Sequence, residues 1–123
     1  MAKKRILLID DEDAFLDMVK MRLEANDYEV ITANDGEAGL ELARKERPDL
    51  IILDLMLPKM DGYRVCALLK KDTRYSSIPI LMFTAKAQQE DMKIGEEAGA
   101  NGYITKPFEP KTLLGKIHEF LKE

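Results

Sequence analysis

The chain has 123 residues, with 19 Lys+Arg against 23 Asp+Glu and a formal net charge of −4. Apolar residues at 46% and charged residues at 34% argue against disorder, and the length suits one domain over residues 1–123 with no output domain. Cys66 is the only cysteine, which excludes an internal disulfide and a cysteine-based zinc site; no apolar run approaches the ~18 residues of a membrane span, and the acidic balance argues against direct nucleic-acid binding. A cytoplasmic location without membrane attachment is the expectation.

Taken in chain order, Ile6–Ile9 is an unbroken apolar run of strand length. Ala14–Ala25 has helical spacing, with Phe15, Met18, Val19, Arg22 and Leu23 on one face and Asp17, Lys20 and Glu24 on the other. Tyr28–Ala33 is a shorter, mixed strand. A second helix opens at Asn34-Asp35-Gly36-Glu37, with Asn34 as its cap and Glu37 at the capping-box position, and it ends at Glu46-Arg47 ahead of Pro48. Leu50–Leu53 is the second apolar run, and a third helix covers Gly62–Lys71. Ile80–Phe83 is the third run, followed by a fourth helix over Gln88–Ala98 that Gly99 closes. Gly102–Thr105 is the faintest strand. Pro110–Lys122 is the fifth helix, with Leu113, Leu114, Ile117, Phe120 and Leu121 as its buried stripe. Continuous apolar strands alternating with helices predict an α/β fold: a doubly wound, five-stranded parallel sheet with five helices. In such a sheet the functional crevice lies at the carboxyl ends of the strands.

Polar residues follow each apolar run. Asp10, Asp11, Glu12 and Asp13 follow the first, Asp54 the second and Thr84 the third, while Lys106-Pro107 follows the last strand. Singly, each has an ordinary explanation. Acids favour helix N-termini, Asp54 suits a turn running to Pro58 and Asp61-Gly62, Thr84 can cap a helix, and Lys106 can be a surface lysine. Together they place carboxylates, a hydroxyl and an ammonium along one edge. Asp10, Asp11 and Asp54 repel one another unless a cation intervenes, and Mg²⁺ suits a few carboxylates plus water. Three carboxylates, Mg²⁺ and Lys106 sum to zero charge, a site ready for an anion such as a phosphoryl group. Asp54, alone at its strand end, is the candidate nucleophile.

These residues resemble the receiver domain of two-component response regulators, a flavodoxin-like (βα)5 fold that includes the chemotaxis response regulator. The likeness runs from about Lys4 to Leu121. Asp10-Asp11 resembles the acidic pair, Asp54 through Gly62 the phosphorylation-site loop, Thr84-Ala85 the switch hydroxyl with its small neighbour, Tyr103 the switch aromatic, and Lys106-Pro107 the lysine with a cis-proline. The resemblance implies that Asp54 accepts a phosphoryl group from a sensor histidine kinase or a histidine phosphotransfer protein. It implies direct Mg²⁺ ligation by Asp11, Asp54 and the Met56 carbonyl, with Asp10 acting through water and Mn²⁺ as a substitute ion. Thr84, the Ala85 amide and Lys106 would bind the phosphoryl oxygens. Thr84 and Tyr103 would then move together and alter the face made by the fourth helix, the fifth strand and the fifth helix, which controls a downstream effector. Phosphorylation-dependent homodimerisation stays open. Met56 and Lys86, each two residues beyond a site residue, are expected to shield the phosphoryl group from water.

Two other functions compete. A haloacid-dehalogenase-like phosphatase also uses a strand-end aspartate, but it needs a second aspartate where this chain has Met56. A receiver-like module that binds partners without phosphorylation would have lost part of the acidic set, which this chain keeps. The reading is therefore a switch that assists its own phosphorylation and dephosphorylation, not an enzyme acting on an external metabolite. His118 and Cys66 read as structural residues, and Lys3-Lys4-Arg5 as a solvated strand flank.

Overall fold

The computed structural model describes residues 3–84, 93 and 97–122, with Thr84 described through its backbone alone. The strands are β1 (Arg5–Ile9), β2 (Glu29–Ala33), β3 (Leu50–Asp54), β4 (Ile80–Thr84) and β5 (Gly102–Thr105). The helices among the described residues are α1 (Asp13–Glu24), α2 (Gly36–Glu46), α3 (Gly62–Lys71) and α4 (Pro110–Leu121). The expected helix over Gln88–Ala98 lies mostly outside the described residues; Lys93, Glu97 and Ala98 are helical, and Gly99 follows with a φ of 99°. None of the described helices is long and apolar enough to cross a membrane.

All strand pairs are parallel, in the order β2-β1-β3-β4-β5. Successive strand side chains point to opposite faces, so an unbroken apolar run feeds two cores at once. Ile6, Leu8, Leu50, Ile52, Leu81 and Phe83 face the layer closed by α1 and α4. Leu7, Ile9, Ile51, Leu53, Ile80 and Met82 face the layer closed by α2 and α3. All twelve are fully buried, each contributing about 1.5–3 kcal/mol through the hydrophobic effect.

Several local expectations are corrected. In α1 the buried residues are Leu16, Val19 and Leu23, whereas Met18 is 52% exposed. The expected stripe was rotated by part of a turn, because Leu16 and Phe15 both fit a 3/4 spacing with Val19. The cap of α2 is Asp35, whose carboxylate accepts the Ala38 amide at 2.7 Å; Asn34 stands one residue too early. That helix ends with Arg47 in the left-handed region, at φ 44°, just before Pro48. In α4, Leu113 and Ile117 are fully buried, while Leu114, Phe120 and Leu121 pack partly buried at the layer's rim.

Arg5 is not a solvated flank. Its guanidinium reaches Glu29 at 2.6 Å, Glu46 at 2.7 Å and the Glu46 carbonyl at 2.8 Å, and its backbone amide donates to Asp49 at 2.8 Å. It ties β1, β2 and the end of α2 together at the amino edge of the sheet. Cys66 holds a packing position, as expected. It is buried on the inner face of α3, and burial pushes its thiol up to about 11. His118 is exposed, with its ring edge-on to Tyr28.

Candidate functional site

Register brings the site together. Ile9 pairs with Leu53, and Leu53 with Met82, so Asp10 and Asp54 emerge side by side at the carboxyl edge. Both β3 and β4 run one residue further than the apolar pattern, so Asp54 and Thr84 are the last residues of their strands. Thr84 pairs with Thr105, which delivers Lys106 to the same edge.

Lys106 spans the two acids. Its Nζ lies 2.5 Å from Asp10 Oδ2 and 3.0 Å from Asp54 Oδ2. The remaining oxygens accept backbone amides: Asp10 Oδ1 from Glu12 at 2.9 Å, and Asp54 Oδ1 from Met56 at 3.2 Å. Side-chain exposure is 1% for Asp10, 14% for Asp54 and 22% for Lys106. Burial raises the Asp10 pKa above the usual carboxylate value, even though the Lys106 and Glu12 hydrogen bonds pull it down. Burial works to lower the Lys106 pKa, but its bonds to Asp10 and Asp54 prevail and hold it above the usual amine value. Asp11 is exposed, and carboxylate oxygens of Asp10, Asp11 and Asp54 lie within 4.8 Å of one another. Three carboxylates and one ammonium leave a formal charge of −2 on this edge. An excess of close oxygen donors is the donor set that a hard divalent cation selects.

The loop after Asp54 is held by two close backbone approaches. A Cβ on Gly62 would lie 2.2 Å from the Asp54 carbonyl oxygen, and one on Gly36 would lie 1.8 Å from the Met60 carbonyl oxygen. Glycine at these positions allows the Gly62 amide to reach the Leu55 carbonyl and the Gly36 amide the Pro58 carbonyl. Asp61 caps α3 through the Arg64 amide at 2.9 Å. Met56 sits at the mouth with 79% of its surface exposed. The Lys106–Pro107 peptide bond is cis, as the resemblance implied.

Tyr103 is partly buried on β5, beside Met82, on the α2–α3 side of the sheet. The Thr84 side chain, Ala85 and Lys86 lie outside the described residues. Sequence reasoning missed an aromatic group. Phe15 and Phe83 pack against the Lys106 ammonium, which stands 4.2 Å from the Phe15 ring centroid and 5.5 Å from that of Phe83, and Phe108 packs against both rings. The signal was present: Phe83 precedes Thr84, Phe108 follows Lys106-Pro107, and Phe15 lies four residues beyond Asp11.

Comparison with known proteins agrees with this geometry. Residues 6–118 match the response regulator receiver domain family. The chain is 44% identical over 119 residues to the alkaline phosphatase synthesis transcriptional regulatory protein PhoP of Bacillus subtilis, covering 97% of this chain and 49% of that protein. It is 47% identical over 118 residues to the dual master transcriptional regulator RpaA of Synechocystis, covering 96% of this chain and 49% of that one. The chain thus spans about half the length of the curated relatives it matches. Among solved structures, Vibrio cholerae chemotaxis protein CheY4 superposes with a TM-score of 0.92 at 36% identity, covering 97% of this chain and 99% of that one. The receiver domain of the Pseudomonas aeruginosa sensor histidine kinase PA1611, with a magnesium ion in its active-site cleft, gives 0.91 at 29% identity, covering 99% of this chain and 100% of that one. With its parallel five-stranded sheet and its acid–lysine edge, this chain belongs to the response regulator receiver domains, which histidine kinases phosphorylate in two-component signalling.

Proposed function

We propose that Asp54 is the phosphoryl acceptor and that the donor is a phosphohistidine on a sensor histidine kinase or a histidine phosphotransfer protein. The supporting observation is the Lys106 ammonium bridging Asp10 and Asp54. Of the two bridged carboxylates, Asp10 is sealed at 1% exposure, while Asp54 keeps an opening at 14%. An Asp54 carboxylate oxygen attacks phosphorus, the phosphorus–nitrogen bond breaks, and the imidazole leaves with that electron pair, its other nitrogen carrying a proton taken from solvent. Water later attacks phosphorus, releasing inorganic phosphate and a proton and restoring the carboxylate.

The donor set fits Mg²⁺, with Mn²⁺ as a substitute. Asp10, Asp11, Asp54 and the Met56 carbonyl are the groups that would hold it. When bound, the ion offsets negative charge on the transferring oxygens. Lys106 donates to a phosphoryl oxygen, and Thr84 and the Ala85 amide take others. Thr84 and Tyr103 then bias the face formed by residues 88–98, β5 and α4 toward a downstream effector or a second copy of the chain. This is self-directed chemistry in the cytoplasm and not turnover of a metabolite.

The test is intact-protein mass after incubation with acetyl phosphate and Mg²⁺. The expected result is one added phosphoryl group, absent from Asp54→Ala and from the metal-free control. No adduct on the wild type would overturn the proposal.

A further inference from the structure

The Lys106 head group has three N–H donors. Among the described residues, Asp10 and Asp54 accept two of them. The Phe15 ring covers the head group at 4.2 Å from its centroid, and Phe83 adds a second ring at 5.5 Å. These rings fix one another. Phe15 meets Phe83 edge-on at 5.3 Å and Phe108 edge-on at 5.9 Å, while Phe83 and Phe108 stack at 5.3 Å. Phe83 is fully buried, and Phe15 and Phe108 are partly buried against the α1–α4 layer.

A ring face attracts an ammonium through its quadrupole, yet it offers no lone pair. A third carboxylate or a carbonyl here would bind the remaining N–H and compete with an incoming anion. An aliphatic side chain would exclude water but supply no attraction. We infer that Phe15 is a positioning residue: its ring holds the Lys106 ammonium at the Asp10–Asp54 bridge and leaves a donor free for the phosphoryl oxygen. The functional half of this inference rests on the proposal for Asp54, and the geometric half does not.

Two substitutions separate the ring's electrostatics from its bulk. Phe15→Leu keeps an apolar side chain and removes the quadrupole, while Phe15→Tyr keeps an aromatic face. The first readout is the proton chemical shift of the Lys106 ε-methylene in unphosphorylated protein without metal. Ring current should move it upfield in the wild type and in Phe15→Tyr, and Phe15→Leu should lose that shift. The second readout is the rate of phosphoryl uptake from acetyl phosphate at saturating Mg²⁺. Phe15→Leu should be slower by about fivefold, with Mg²⁺ affinity unchanged, and Phe15→Tyr should stay near wild type. Thermal melts verify that both variants fold. A Lys106 shift that is the same in Phe15→Leu and wild type would overturn the inference, as would equal uptake rates. A parallel loss of rate in Leu and Tyr variants would overturn it too, by assigning the effect to packing. Failure of the wild type to take up phosphoryl sinks the Asp54 proposal instead, and the shift measurement then decides the placement of the ammonium by itself.

Discussion

Near each end of the sheet a cation pairs with two carboxylates and a third stands close by, so each group of four carries the same formal charge of −2. At the amino edge the Arg5 guanidinium pairs with Glu29 and Glu46 while its backbone amide holds Asp49; at the carboxyl edge Lys106 pairs with Asp10 and Asp54 while Asp11 stands close to both. The difference is water. Glu29 is 57% and Glu46 31% exposed, so solvent screens their excess charge, and a planar guanidinium satisfies several oxygens at once. Asp10 and Asp54 are 1% and 14% exposed, and their shared cation is a single ammonium. Equal charge counts therefore yield a clasp at one edge and an unfilled demand for positive charge at the other.

The largest expected effect separates the edges by stability. Lys106→Met, measured by urea unfolding in metal-free buffer near neutral pH, should cost about 3 kcal/mol, because it leaves buried carboxylates without their cation. Arg5→Met should cost about 1 kcal/mol or less. Equal losses would break the contrast. Next, Mg²⁺ at a hundred times its dissociation constant should raise the unfolding free energy of the wild type by about 2.7 kcal/mol. Asp10→Asn should lose most of that gain and Glu29→Gln none; a gain that survives Asp10→Asn would place the ion elsewhere. Within the acidic edge, Met56→Asn should shorten the life of the phosphorylated state severalfold, followed by the loss of phosphoryl mass over time. An unchanged decay rate would mean that Met56, 79% exposed, shields nothing.

The smallest effect concerns acid. Asp72, at the amino end of the sheet where α3 stops, has its pKa lowered from 3.8 to about 2 by the Arg74 side chain and then its backbone amide. A depressed carboxylate adds stability above its unfolded pKa, because the unfolded chain binds more protons, and that stability is lost as pH falls from 3.8 toward about 2. Followed by urea unfolding, Asp72→Asn should flatten the pH dependence of stability in that window and lower stability at neutral pH by the same increment; an unchanged slope would break the assignment to Arg74.

Much of this was legible in residue order. Four-residue apolar runs read as strands covered on both faces, so Asp10 and Asp54 share an edge once the strands are parallel, and Lys106 joins them at the end of the fainter strand Gly102–Thr105. Position along a strand is enough to locate such residues. What order did not reveal depends on rotation or distance. Choosing Leu16 over Met18 requires knowing how α1 rolls on the sheet, and a helical stripe can tolerate either. Asn34 and Asp35 are both good caps, and the choice turns on where the backbone enters the helix. The partners of Arg5 lie 24, 41 and 44 residues away, so no local pattern marks it. The Phe15, Phe83 and Phe108 group draws on three separate elements, and each of its members reads alone as core.

Gly36 has no charge, no side chain and no part in the chemistry, and it stands eighteen residues before Asp54 in the chain. Its missing Cβ is nonetheless the space that the Met60 carbonyl occupies. In a saturation-mutagenesis survey scored by phosphoryl uptake, this position should tolerate substitution as poorly as the acidic residues do. Intolerance alone would then not tell a reacting group from the empty volume that lets its loop close.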